Sequence, residues 1–278
     1  MKCFLALLLT LSLLCGAAFS EAAPDLSRVA DPSEMTEVQD IVPEGMVPVT
    51  ADALNDGVYD GIAVDSSSSM FRVVGCTLTV KGGHMTALLQ MKSDAYRFLY
   101  PGAAEDAARA AKEDLFPLMP LDDSFGFVFP VDALNAGLPC AAFSARKQAW
   151  YPRTLMLRAD SLPLEAWREL QTPKTLGLAD GDYSSEVTLT GGSMAVRSPA
   201  AMRIENGDCT AELVFETRRI DYVIVDGQKY EPASTEDGAV FQIPVAAFGV
   251  GLSIAVDSTA LNPPVEVPCT VTFSAPVS

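Results

Sequence analysis

DGVYDGIAVDSSSSMFRVVGCTLTVKGGHMTALLQMKS (residues 56–93) aligns without a gap on DGDYSSEVTLTGGSMAVRSPAAMRIENGDCTAELVFET (180–217), at a constant offset of 124. Asp56, Gly57, Tyr59, Ser69, Met70, Gly83, Thr86, Ala87 and Leu89 return as Asp180, Gly181, Tyr183, Ser193, Met194, Gly207, Thr210, Ala211 and Leu213. Further on, FPVDALNAGL (129–138) returns as IPVAAFGVGL (243–252), now at an offset of 114. Two matching blocks in the same order indicate a duplicated unit. The first copy holds ten extra residues, EDAARAAKED (105–114). Their alanines and acidic start suit a short helix, and its place near a ligand end would let it act as a gate.

Within each copy the period is two. Leu78 and Val80 alternate with Thr77 and Thr79, a glycine turn follows, and Met85, Ala87, Leu89 and Met91 alternate with Thr86 and Gln90. The second copy repeats this with Met202 and Ile204, the turn ENGD, then Cys209, Ala211, Leu213 and Phe215. Half-buried antiparallel strands joined by tight turns predict an all-β chain of two tandem immunoglobulin-sized antiparallel β-sandwiches. The expected boundaries are 53–163 and 178–278, joined by a linker over 164–177 that contains LEAWRELQTPK.

Upstream lie two segments of other character. MKCFLALLLTLSLLCGAAFS (1–20) has one lysine, an apolar run and small residues at its end, the pattern of a secretory signal peptide, too short for a comfortable membrane span. Cys15 offers a lipid-anchor alternative, which the bulky Leu14 before it fits poorly. Residues 21–52 are acidic and proline-containing and read as a flexible leader. The expected location is therefore secreted or cell-surface. With 36 acidic against 19 basic residues and a formal charge of −17, a nucleic-acid partner is disfavoured.

Four cysteines follow the signal segment, Cys76 and Cys140 in one copy and Cys209 and Cys269 in the other, each in phase with core positions. In an exported chain this spacing predicts two disulfides, Cys76–Cys140 and Cys209–Cys269. Buried free thiols packing as small hydrophobes are the alternative.

The chemistry-bearing residues are few. One histidine, His84, sits in the KGGHM turn, which leaves little for an acid–base relay or a multi-histidine metal site. The expectation is a binding protein and not an enzyme. SSSSMF (66–71) is a poor strand interior and forms a loop, in which Ser69, Met70 and Phe71 either cap the sandwich or form a lip over a ligand groove. KQAWYPRTL (147–155) sets Trp150 and Tyr151 between Lys147 and Arg153, a combination suited to a flat anionic ligand.

The D-G-x-Y start, the Ser-Met loop, the L-x-V-x-x-G-x-x-T-A strands and a late tyrosine expected before the final strand resemble the NEAT (near-iron-transporter) domain family, over roughly 53–162 and 178–276. The resemblance implies immunoglobulin-like sandwiches on exported proteins, many of which bind haem between a serine-bearing lip and a late-strand tyrosine. Carried over, the lip is Ser69, Met70 and Phe71 and the iron ligand is Tyr151; Trp150 and Arg153, read from the 147–155 stretch itself, are expected beside the ligand. Haem, or another flat iron-bearing ligand, is the implied cofactor, and a membrane iron or haem transporter the implied partner. The family's Tyr-x-x-x-Tyr is broken here by Leu155, and the second copy has proline and valine where the tyrosine belongs. The competing expectation is a surface module recognising protein or glycan, with Tyr222 and Tyr230 as a candidate patch.

Overall fold

The computed structural model describes residues 24–35, 39–260 and 262–277, so the signal segment and Cys15 lie outside the described residues. Among the described residues no helix is long and apolar enough to cross a membrane. The first half contributes β1 (Gly57–Asp60), β2 (Val64–Ser66), β3 (Val73–Lys81), β4 (His84–Met91), β5 (Tyr96–Pro101), β6 (Phe116–Pro117), β7 (Met119–Pro120), β8 (Phe125–Val131), β9 (Leu138–Ser144) and β10 (Ala149–Leu157). The second contributes β11 (Gly181–Ser185), β12 (Val187–Thr190), β13 (Ala200–Glu205), β14 (Asp208–Phe215), β15 (Ile220–Val225), β16 (Gln228–Tyr230), β17 (Ala239–Pro244), β18 (Gly251–Ser258) and β19 (Val265–Phe273).

These strands form four antiparallel sheets. One pair has the orders β1-β3-β4-β8-β7 and β2-β10-β9-β5-β6; the other has β11-β13-β14-β17 and β12-β19-β18-β15-β16. Each pair closes over its own core: Leu78, Leu89 and Phe127 meet Leu99 and Leu155 in the first, and Leu213 and Phe241 meet Val256 and Phe273 in the second. The expected all-β sandwich architecture is present.

The repeat is visible in register as well as in order. Tyr59 pairs with Leu78 as Tyr183 pairs with Met202, and Ala87 pairs with Phe129 as Ala211 pairs with Ile243. The β3–β4 turn is Gly82-Gly83 and the β13–β14 turn Asn206-Gly207, with both residues at positive φ in each case. That is the geometry of the two-residue hairpin whose twist matches its strands. The D-G-x-Y signature is structural too. Tyr59 donates its hydroxyl to the Asn55 carbonyl and Tyr183 to Ala179, both at 2.9 Å, four residues back. A Cβ on Gly57 would stand 2.7 Å from the Tyr59 hydroxyl oxygen.

Three sequence expectations need correction. First, the leader is not free over its described part. Trp150 N–H donates to the Arg28 carbonyl and Ala30 N–H to the Trp150 carbonyl, each at 2.9 Å, and the Trp150 indole donates to the Leu26 carbonyl at 2.7 Å. Residues 26–30 thus run as a parallel strap beside the start of β10, where β2 does not reach. Leu26 and Val29 pack on Trp150, apolar surface that would otherwise face water.

Second, the described cysteines are all free and buried. Cys76 (β3) and Cys140 (β9) enter the first core from different sheets, and Cys209 (β14) and Cys269 (β19) do the same in the second. Cys269 occupies the register position of Arg153, since Ile254–Cys269 in the second half answers Cys140–Arg153 in the first. The two pairs are therefore not a repeated feature. Burial pushes the first-half thiols up to about 12 and the second-half thiols up to about 11.

Third, the insert is only partly helical. A single turn, α1 (Ala104–Ala107), and a 3-10 turn (Lys112–Asp114) replace a helix over 105–114. Ala104 and Ala107 pack against Trp150 and Phe143 on the outside of the sheet.

The linker is likewise pinned, by Leu54 pairing with Trp167 and Gln171 with Phe248. Where the halves meet, Arg158 Nε donates to Asp160 at 3.0 Å, and a second guanidinium nitrogen donates to the Thr270 hydroxyl at 3.1 Å. Thr270 in turn donates to Asp160.

Candidate functional site

The serine run is a structured turn and not a slack loop. Ser67 N–H donates to the Thr154 carbonyl, and its hydroxyl accepts from Thr154 N–H, both at 2.9 Å, which extends the β2–β10 pairing. Phe71 N–H closes the turn on the Ser68 carbonyl at 3.0 Å. Phe71 is then driven fully inside, edge-on to Tyr96 with ring centroids 5.0 Å apart. Ser69 is left in solvent, and Met70 projects at 68% exposure.

Met70 overhangs a slot of about 300 Å³ at the mouth of the first sandwich. Tyr96 forms the wall beside it, Tyr151 and Arg153 the floor, Arg146 and Lys147 the rim, and Glu34 of the leader one side. Tyr151 and Arg153 share a face of β10 because strand side chains alternate with period two. The same rule sends Trp150 to the opposite face, where it is fully buried beneath α1 and the strap. Of the residues expected at the site, Met70, Tyr151 and Arg153 therefore line one cavity. Phe71 backs it through Tyr96, while Ser69 and Trp150 do not reach it.

The slot's electrostatics follow from its cover. Arg28 reaches across to the Lys147 carbonyl at 2.8 Å and forms an ion pair with Glu34, which also accepts from Asp31 N–H at 3.2 Å. This clamp and Met35 close over Tyr151. Burial holds the Tyr151 phenol above its ordinary value, Glu34 adds to the shift, and the nearby arginines oppose it. The phenol is thus neutral at pH 7. The Arg153 guanidinium lies 5.2 Å from the Tyr151 ring centroid, in cation–π range.

A porphyrin does not fit this slot with the strap in place. The volume is at the lower limit of ordinary ligand pockets, about 300–1,000 Å³, which suits one or two rings and not a four-pyrrole macrocycle. Tyr151 is also covered, at 6% exposure, while the strap is in place.

Sequence reasoning missed Tyr96, Arg28 and Glu34. The stretch D-P-S-E (31–34) carried a usable signal, because an Asp, a following proline and a Glu three residues on mark the start of a helical turn. That turn, Pro32–Glu34, sets the Glu34 carboxylate. His84 lies exposed at the start of β4, in its turn. Tyr222 lies beneath Lys229 and donates to Glu266 at 2.9 Å, and Tyr230 packs on the second core. Both are engaged locally. A larger cleft of about 610 Å³ runs along the linker between Trp167 and Phe248, where Asp52, Arg168 and Glu169 are exposed and Arg168 is spent on the Leu54 carbonyl.

No family model matches the chain, and no curated protein is similar to it in sequence.

Proposed function

We propose that the chain is an exported binding protein, not an enzyme, which holds a flat ligand in the slot at the mouth of its first half. The supporting observation is that a loop methionine and a late-strand tyrosine and arginine, more than seventy residues apart in sequence, line one cavity. The resemblance to NEAT domains makes haem or another flat iron compound the ligand class, with delivery toward a membrane transporter as the use. For that class the clamp formed by Arg28 and Glu34 must leave the slot. The second half has Val267 at the register position of Tyr151 and takes no part.

Hemin titration of the full chain tests this reading. Intact protein should give little Soret change, Arg28→Ala/Glu34→Ala protein a clear one, and adding Tyr151→Phe should abolish it. A spectrum unchanged in all three proteins removes the porphyrin from the proposal.

A further inference from the structure

Among the described residues Arg153 is buried and Arg158 is largely covered, and the two arginines are treated differently. Arg158 has a carboxylate, Asp160, and a hydroxyl, Thr270. Arg153, 5% exposed, has no carboxylate partner among the described residues. One terminal nitrogen donates to the Pro152 carbonyl at 2.7 Å, the other meets the Tyr96 hydroxyl at 3.5 Å, and Nε has no hydrogen-bond partner. Taking a guanidinium out of water costs several kcal/mol unless an anion compensates, and buried charges are ordinarily paired. This chain has 36 acidic residues from which to draw a partner. Glu34, the carboxylate on the slot wall, is committed to Arg28 and the Asp31 amide.

We infer that the missing counter-charge belongs to the ligand: with the strap closed, the slot takes a compact aromatic carboxylic acid, its carboxylate on Arg153 and its ring between Met70 and Tyr151. This rests on the reading of the slot as a ligand site, and changes the occupant from a metal-bearing macrocycle to a metal-free acid of one or two rings. The volume of about 300 Å³ admits such a ring. The Tyr96 hydroxyl, already within reach of Arg153 and donating to the Met70 carbonyl at 3.4 Å, is a second polar group for the carboxylate. Arg146 and Lys147 at the rim offset the repulsion an anion meets on approaching an acidic chain.

The test uses benzoate, benzamide and inorganic phosphate, titrated by ligand-detected NMR into the full chain and its Arg153→Met and Arg153→Lys variants. Benzoate should bind at least 10-fold tighter than benzamide, the size expected of one charge-assisted hydrogen bond, and tighter than phosphate, which lacks the ring. Arg153→Met should lose at least 10-fold for benzoate, and Arg153→Lys should retain part of the affinity. The urea midpoint of Arg153→Met should not fall, because removing an unpaired buried charge relieves a cost. Equal affinities for benzoate and benzamide, or a collapse of stability in both variants, would overturn the inference and make Arg153 a structural residue. Benzoate binding that ignores Arg153 but is lost in Met70→Ala defeats this inference and leaves the slot standing. Failure of both benzoate and hemin to bind any variant defeats the slot as well.

Discussion

The two halves share their strand order apart from the added edge strand β7 of the first, yet they finish the start of their last strand in opposite ways. In the first half β10 begins with Ala149, Trp150 and Tyr151, and its free edge is covered by the strap. In the second half β19 begins with Val265, Glu266 and Val267, preceded by Pro263 and Pro264, and β12 pairs only with residues from Thr270 onward. Proline and charge are the ordinary means of blunting an exposed strand edge. One half hides its edge beneath its own chain and gains a covered slot; the other leaves its edge wet. The shared scaffold is thus one thing and the proposed site another, built on Tyr151 and Arg153, where the second copy has Val267 and Cys269.

The largest expected effect tests the cover. Trp150 is fully buried, carries the strap's hydrogen bonds and packs on α1 and Phe143, with ring centroids 5.2 Å apart from the latter. Trp150→Ala should cost about 3–5 kcal/mol, as for other buried large-to-small changes. Its register counterpart, Glu266→Ala, should leave the urea midpoint nearly in place. Equal losses at the two positions would mean that the strap contributes nothing distinctive to the first half.

Next comes the contact that joins the halves. Asp160→Ala leaves Arg158 without its carboxylate in a largely buried setting, where the side chains are 13% and 2% exposed for Arg158 and Asp160. Breaking a buried pair from one side typically costs about 3–5 kcal/mol, and the lower end applies because Arg158 keeps Thr270. Unfolding followed by tryptophan fluorescence, which reports the first half and the linker, should separate from far-UV dichroism in this variant. Coincident curves would show that the halves do not depend on Asp160 for their coupling.

The thiols give a smaller contrast, with a definite sign. All four pKa values are raised by burial above the ordinary 9.0. The unfolded chain therefore sheds these protons first as pH rises. Their contribution to stability is complete below pH 9 and is lost between pH 9 and about 11 to 12. Urea midpoints should fall over that range, and replacing each thiol by alanine or serine as its surroundings allow should flatten the fall. A disulfide reagent should label all four thiols slowly in the folded chain, since each is 5% exposed or less. Early labelling of Cys140 would contradict its burial.

What the sequence made legible followed from periodicity. Alternation in 76–91 and 200–215 has one physical solution, a strand with one face in a core, and the repeat fixed the shared register. The site was read less well, for two reasons. Trp150 and Tyr151 are neighbours on a strand, so period two already parts them, and a single ligand could not touch both. The strap is held by backbone hydrogen bonds and one indole, and such bonds leave no trace in composition. An acidic, proline-bearing stretch reads as free chain unless the D-P-S-E turn is noticed. Arg153 was found as a charge beside aromatics, but its missing counter-ion is a three-dimensional property. The cysteines were in phase with the core, as observed, yet phase alone does not bring two sulfurs within bonding distance.

The smallest effect should fall on the methionine that the two halves share. Met70 and Met194 are equivalent in the repeat, but Met194 leans on the second core while Met70 stands in solvent over the slot. Met194→Ala should therefore cost on the order of 1 kcal/mol, a part of the price of a fully buried methionine. Met70→Ala should change stability by less than about 0.5 kcal/mol, as surface substitutions do. If Met70 is a lip, its loss should appear instead in ligand retention, as a severalfold weaker hold on benzoate with the melting curve unmoved. A methionine whose removal lowers stability and leaves binding untouched would be a cap like its twin, and the difference between the two mouths would then rest on Tyr151 and Arg153 alone.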